Sequence, residues 1–194
     1  MKWIGLVIVA FIVIYTAVNL YFRKPGPAYR PYQDTQDRAT TARLLNAGWH
    51  RLPLATRRPV EKPAADRPPA AIKRAAVGLG SDLEDKFAEK PRLLASIDQV
   101  TAPAVTAPNR GYSAYFTASL PNIKSQVGEM TLYHKDHELV LIPVAEALPG
   151  TGLMSRWNDN TYWIEFSTAT LPPGRYDMRI VAKGPAAAWS FEVK

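Results

Sequence analysis

The stretch LPPGRYDMRIVAKGPAAAWSFEVK, residues 171–194, decides the fold, because its apolar side chains alternate with polar or small ones. The side chains expected to face inward are Tyr176, Met178, Ile180, Trp189, Phe191 and Val193. A period of two is typical of antiparallel strands with one face in a core and one in water. This stretch therefore predicts two antiparallel strands joined by a short connection.

The start of this stretch, LPPGRY, contains a second local signal. Pro173 and Gly174 predict a turn, and Tyr176 enters a strand two residues later. This spacing suits a tyrosine corner, in which the phenol hydroxyl bonds to backbone a few residues upstream. We therefore assign structural roles to Gly174 and Tyr176.

The same alternation recurs through the C-terminal half. The further predicted strands are AYFTASL (114–120), GEMTLYH (128–134), Leu139–Val144, TYWIEFS (161–167) and one at Val100–Val105. Six or seven short strands within residues 100–194 predict a mostly β domain, a small Ig-like antiparallel β-sandwich.

The closing stretch, residues 171–194, also resembles the last strands of FixH-like proteins, where a Pro-Gly turn leads into an aromatic-rich hairpin. The layout of one N-terminal span followed by a β domain is similar as well. The resemblance implies an extracytoplasmic β-sandwich and a role as accessory or assembly factor for copper-containing respiratory oxidases.

Residues 1–24 contain an uncharged apolar run, WIGLVIVAFIVIYTAVNLYF, at positions 3–22. At 1.5 Å per residue it crosses a hydrocarbon core of about 30 Å. A signal peptide has a shorter apolar run and a small-residue cleavage site, so we predict a retained single-pass anchor. Tyr15 and Asn19 share one helix face; they either contact a neighbouring membrane helix or mark the approach to the interface.

The orientation signals conflict. Basic residues after the span favour a cytoplasmic domain by the positive-inside rule. The layout of an N-terminal anchor and a β domain favours the periplasmic face by analogy. We expect a protein of the bacterial inner membrane with its C-terminal domain in the periplasm.

Residues 25–99 are predicted to be a Pro/Arg-rich tether with short helices. One helix is expected from an Asp34 cap to a Gly48 stop, a second at a Ser81–Glu84 capping box, and a third within 92–100, with an extended linker at 53–75. An apolar patch either docks on a partner or packs on the protein's own domain. The patch consists of Leu44 and Leu45 and is extended by Trp49 and Leu52.

The positive charge is concentrated in this tether. Residues 23–74 hold twelve Lys/Arg and four Asp/Glu, whereas 111–194 hold seven and eight. A nucleic-acid reader usually has its basic patch on a folded face, so we expect no nucleic-acid partner. The chain also has no cysteine, which excludes disulfides and thiolate chemistry.

HKDHELVLIPVAE, residues 134–146, holds two of the three histidines. If Lys135-Asp136 is the hairpin turn, His134 faces His137 and the pair can share copper or zinc, with Met130 or Met154 as a softer neighbour for Cu(I). If Asp136-His137 is the turn, Lys135 faces Glu138 and His137 takes a position with positive φ. We favour the second register, because it uses a recognised turn position and places Lys135 opposite Glu138 as a favourable charge pair. Two histidines are also too few for a closed metal site, so we assign no cofactor.

The loop GTGLMSRWNDNTYW, residues 150–163, contains residue types that are enriched at interfaces: Met154, Arg156 and Trp157. It either contacts a partner or covers the sandwich. No hydrolase, phosphate-loop or zinc-protease motif occurs in the sequence. We therefore expect a non-enzymatic accessory subunit that binds the bilayer and integral membrane proteins of a larger complex. The alternative is copper delivery to a respiratory oxidase through His134 and His137.

Overall fold

The computed structural model describes residues 2–22, 31–58, 68–148 and 159–194. They divide into two compact units, with the boundary between Thr35 and Gln36. The helices are α1 (Lys2–Phe22), α2 (Pro31–Asn46) and α3 (Ser81–Glu84). The strands are β1 (His50–Leu52), β2 (Leu54–Arg57), β3 (Lys73–Ala75), β4 (Ser96–Thr101), β5 (Val105–Thr106), β6 (Gly111–Ser119), β7 (Ser125–Lys135), β8 (Glu138–Ala147), β9 (Asp159–Ser167), β10 (Gly174–Ile180) and β11 (Ala186–Val193).

α1 contains a stretch, Trp3–Tyr21, that is long and apolar enough to cross a membrane. The predicted N-terminal apolar helix is confirmed. A membrane anchor and a signal sequence both meet this criterion of length and composition.

The second unit is mostly β and contains two sheets. Sheet A has seven strands, in the order β1-β7-β8-β10-β11-β3, with β5 also paired to β11. Sheet B has four strands, in the order β2-β9-β6-β4. Most neighbours are antiparallel, but β8–β10 and β5–β11 are parallel, which differs from the purely antiparallel expectation. β8 and β10 can run parallel because the chain crosses to sheet B through β9 between them.

The main core lies between the two sheets. The inward-facing side chains predicted for β10 and β11 are all buried, and Tyr162, Ile164 and Phe166 of β9 are buried as well. β6 alternates between buried and partly exposed side chains over its length. The alternation predicted from the sequence is therefore confirmed for these strands.

A second core covers the outer face of sheet A. Its buried residues are Leu44, Trp49, Leu79, Leu83, Val140, Ile142 and Val181. In β8, Leu139 and Leu141 face the main core whereas Val140 and Ile142 face this second core. Burial on both faces explains why β8 is a nearly continuous apolar run rather than an alternating one.

Three strands lie wholly within the range that the sequence assigned to the tether. β1 pairs with β7, β2 with β9 and β3 with β11, so these parts of residues 50–75 join the sheets. Pro53 separates β1 from β2, and each belongs to a different sheet. The predicted extended linker is wrong for these strands. Pairing with longer strands supplies the hydrogen bonds that a short polar segment lacks by itself.

The predicted helix at 92–100 is wrong, because this segment contains β4, which pairs with β6. The capping box is also wrong: Gly80 occupies the N-cap of α3 and no side chain caps that helix. α2 begins at Pro31 rather than after Asp34, since proline is tolerated in a first helical turn. Its end before Gly48, which has φ 83°, agrees with the predicted stop.

Candidate functional site

The tyrosine corner forms as predicted. The Tyr176 hydroxyl donates a hydrogen bond of 2.7 Å to the carbonyl of Pro172, and burial raises the pKa of this phenol. Gly174 has φ 151°, where a side chain is strained, and an added Cβ would lie 3.4 Å from Nε2 of His137. The His137 ring packs on the Tyr176 ring, with centroids 5.2 Å apart. Gly174, Tyr176 and His137 therefore form one structural corner.

The β7–β8 hairpin adopts the register in which Asp136-His137 is the turn. Lys135 lies opposite Glu138 and His134 lies opposite Leu139, so His134 and His137 do not face each other. Asp136, not His137, takes the positive φ, 52°, which aspartate tolerates better than most residues. This register keeps Leu139 on the face of the main core.

The sequence reasoning missed the partner of His134, which is His50 of β1. The two residues are directly paired across β1 and β7, and their ring centroids lie 5.9 Å apart at an interplanar angle of 79°. Nδ1 of His134 is buried and has no hydrogen-bond partner among the described residues. His50 gave no local signal, because its strand falls in the predicted tether.

The other proposed ligand, Met130, does not lie near this histidine pair. It is four residues from His134 along β7, about 13 Å at a rise of 3.3 Å per residue, and it is buried in the main core. Within the described ranges, no group of three or more His, Asp or Glu residues is placed to hold a metal. The donor set that the structure brings together is thus two imidazoles.

The apolar patch expected in the tether is split by the structure. Leu44 and Trp49 are buried, at 1% and 3% exposure, in the second core, whereas Leu45 is 49% exposed. Nζ of Lys135 lies 5.8 Å from the centre of the Trp49 ring. Leu44 and Trp49 are therefore not available to a partner.

Two other groups of predicted contact residues have different outcomes. In α1, Nδ2 of Asn19 donates a 2.9 Å hydrogen bond to the backbone carbonyl of Tyr15, which satisfies one amide donor within the helix itself. The predicted loop contacts lie outside the described residues: Met154, Arg156 and Trp157.

A row of side chains crosses the outer face of sheet B. The alternation within each strand does not predict this row, because the row depends on how the strands pair. Arg57, Trp163, Tyr115 and Thr101 are successive cross-strand partners on β2, β9, β6 and β4. The guanidinium of Arg57 lies 4.8 Å from the centre of the Trp163 ring, within cation–π range. We call Arg57, Trp163 and Tyr115 the sheet B platform.

The platform is accessible to solvent. Trp163 and Tyr115 are partly exposed and Arg57 is exposed, whereas Val140 on the outer face of sheet A is fully buried. Partial burial, and then the Glu165 carboxylate, raise the pKa of Tyr115, so its phenol stays neutral at physiological pH. The platform thus offers two aromatic rings and one guanidinium that are at least partly open to solvent. The sequence contained one signal for this platform: within their strands, Trp163 and Tyr115 alternate with the buried side chains and so lie on the opposite face.

A cleft of about 530 Å³ lies beside the hairpin turn. Arg179 lies 3.6 Å from Glu138 and also donates to the carbonyl of Leu79, and Asp177 accepts from Ser190. These contacts hold β10 to its neighbours β8 and β11. No protein-family model, curated protein or solved structure matches this chain.

Proposed function

We propose that this chain is a membrane-anchored, non-enzymatic accessory protein whose β domain binds a partner protein through the sheet B platform. The observation that carries the proposal is the row of Arg57, Trp163 and Tyr115, in which the arginine is exposed and the two rings are partly exposed. Aromatic residues and arginine are enriched at the centres of protein interfaces and carry most of their binding energy.

The asymmetry of the sandwich supports this use of sheet B. The chain covers the outer face of sheet A with its own α2, Trp49 and α3, which form the second core. On sheet B the corresponding residues remain partly exposed. Trp163 and Tyr115 are also held on paired strands, so binding would cost little conformational entropy.

A binding role also agrees with the titratable groups. Burial raises the pKa of Tyr112, Tyr133, Tyr162 and Tyr176, which keeps these phenols protonated. Three of these hydroxyls are hydrogen-bonded, to Pro103, Arg58 and Pro172. The raised pKa values of these tyrosines therefore result from packing. They provide neither an activated nucleophile nor a general base that is poised for proton transfer.

The fold class and the membrane placement in this proposal are supported by the sequence pattern and by the order of the segments. We assign the sandwich to the Ig-like class on its two facing sheets and the tyrosine corner at Tyr176. We treat α1 as a retained single-pass anchor in the bacterial inner membrane, with the β domain in the periplasm. Protease accessibility in spheroplasts tests this sidedness: a protected β domain would place it in the cytoplasm.

The proposed partners are integral membrane proteins of a multi-subunit complex, with the lipid bilayer holding α1. The resemblance of residues 171–194 to FixH-like proteins favours a respiratory oxidase as that complex. The second candidate function, copper delivery, is now favoured only by the pairing of His134 with His50, since His137 packs on Tyr176.

The decisive experiment is gentle detergent purification of the tagged full chain, followed by identification of co-purifying subunits and measurement of their affinity. Trp163→Ala should weaken binding about 30-fold, which corresponds to a hot-spot loss of about 2 kcal/mol. Arg57→Ala should weaken it as well, whereas Arg175→Ala should not. Arg175 is the matched control, since it is an exposed strand arginine on sheet A.

Two outcomes would contradict the proposal. One is a chain that emerges alone and monomeric from gentle purification. The other is a partner that binds the Trp163→Ala and Arg175→Ala variants equally well. Circular dichroism of each variant shows whether a loss of binding reflects a loss of fold.

A further inference from the structure

We infer that His50 and His134 form a two-imidazole site for a divalent transition-metal ion, with Cu²⁺ bound most tightly, and that the ion fastens β1 to β7. This site uses the histidine that the hairpin motif did not include. It does not depend on the sheet B platform or on a partner protein.

The geometry of the pair fits one shared ion. Directly opposed residues on antiparallel strands have Cβ atoms about 4.5–5.5 Å apart. Two imidazoles that share an ion through bonds of about 2.0 Å have centroids about 5–6 Å apart. The His50 and His134 centroids lie 5.9 Å apart, which is within this range.

The unsatisfied ring nitrogen of His134 also indicates a ligand. Its Nδ1 is buried and has no hydrogen-bond partner in the described part of the chain. Buried ring nitrogens normally have a partner, because burial removes the water that would otherwise bind them. A metal ion uses such a nitrogen lone pair directly.

The surroundings give the site one dry side and one open side. His134 continues an inner-face row of sheet A whose next members are Leu139, Met178 and Trp189, all of them buried. His50 lies on the edge strand and is exposed. The ion can therefore enter from solvent, and water molecules complete its coordination.

The choice of metal follows from the donor set. The chain has no cysteine, and Met130 lies too far along β7 to reach this pair, so neither a thiolate nor the Met130 thioether is available to select Cu(I). Two imidazoles plus water suit a borderline divalent ion. The order of affinity among first-row ions then places Cu²⁺ above Ni²⁺ and Zn²⁺.

The effect of the ion would be mechanical. β1 is only three residues long, and it is followed by Pro53, which directs the chain to sheet B. β1 also follows Trp49, a residue of the second core. A metal that bridges His50 and His134 holds this junction closed and stabilises the folded state by mass action.

The test is a calorimetric Cu²⁺ titration of the full chain in detergent micelles, with electron paramagnetic resonance of the loaded protein. We expect one ion per chain, nitrogen coupling from two imidazoles, and at least tenfold weaker binding in both His50→Ala and His134→Ala. His137→Ala is the matched control and should bind as the wild type does. The melting temperature should rise with Cu²⁺ in the wild type and in His137→Ala only.

The inference is overturned if His50→Ala binds Cu²⁺ as the wild type does, if His137→Ala loses binding equally, or if saturation requires millimolar metal. If His134→Ala does not fold, His50→Gln at the exposed edge still decides the question. Binding of Zn²⁺ more tightly than Cu²⁺ would overturn the assignment of the ion. Failure of the metal site leaves the sheet B platform untouched, so the two proposals are tested separately.

Discussion

Replacing Tyr112 by phenylalanine should be the most damaging single-atom change in the main core. The Tyr112 side chain is fully buried, and its hydroxyl joins two hydrogen bonds of 2.8 Å. It donates to the carbonyl of Pro103 and accepts from Nε1 of Trp189. Tyr112→Phe keeps the ring and removes the atom that links sheet B to sheet A.

The expected magnitude follows from the groups left behind. Removing one partner of a buried hydrogen bond costs about 1–3 kcal/mol, because the other partner keeps its desolvation penalty. Tyr112→Phe leaves the Trp189 N–H and the Pro103 carbonyl, so we expect a loss of about 2–5 kcal/mol. Tyr176→Phe leaves only the Pro172 carbonyl, and we expect a loss of about 1–2 kcal/mol.

The assay is urea unfolding of the full chain in detergent micelles, followed by circular dichroism and by tryptophan fluorescence. Coincident transitions from the two probes justify a two-state free energy of unfolding. Tyr115→Phe on the sheet B platform is the control for loss of a phenol oxygen and should change stability by less than about 0.5 kcal/mol. In thermal melts, the Tyr112→Phe loss corresponds to roughly 5–15 °C.

The order of the three variants is the critical result. If Tyr112→Phe costs no more than Tyr176→Phe, then the two-bond bridge between the sheets does not contribute as described. If Tyr115→Phe costs as much as either, burial is not what sets the penalty.

Three further predictions concern the second core, the hairpin turn and alkaline pH. Leu44→Ala should cost about 2–5 kcal/mol in urea unfolding, whereas Leu45→Ala should stay within about 0.5 kcal/mol; equal costs would contradict the second core. Asp136→Val should cost about 1–2 kcal/mol because of its positive φ, and Asp136→Asn should be neutral; a neutral valine would refute this backbone conformation. Burial raises the pKa of Tyr112 above its value in the unfolded chain, so unfolding above about pH 10 releases a proton. Stability should therefore be full below about pH 10 and fall as the pH rises further. A flat profile in alkaline urea titrations would contradict this prediction.

Much of the fold could be predicted from neighbouring residues. The alternation in residues 171–194 predicted β10 and β11 with the correct faces, and the Pro-Gly-x-Tyr spacing predicted the corner at Tyr176. Both depend on local geometry, since adjacent strand side chains point to opposite faces and a turn needs particular backbone angles. The helix α1 could be predicted equally well from its apolar run, because length and composition alone define such a helix.

The candidate sites depended instead on residues that are far apart in the chain. His50 meets His134, and Arg57 meets Trp163, only because short edge strands pair with long central ones. The segment 92–100 looked helical by itself, yet it contains β4, because pairing with β6 outweighs a weak local preference.

The sequence by itself thus determined the alternating strands after residue 110, where the apolar helix lies and which tyrosine closes the corner. Tertiary structure alone decided that Leu44 and Trp49 belong to a core, which histidine faces His134, and that Trp163 and Tyr115 share an exposed row. The physical reason is that periodicity records only whether a side chain is buried. Which partner buries it is decided by long-range strand pairing and by the register that pairing imposes.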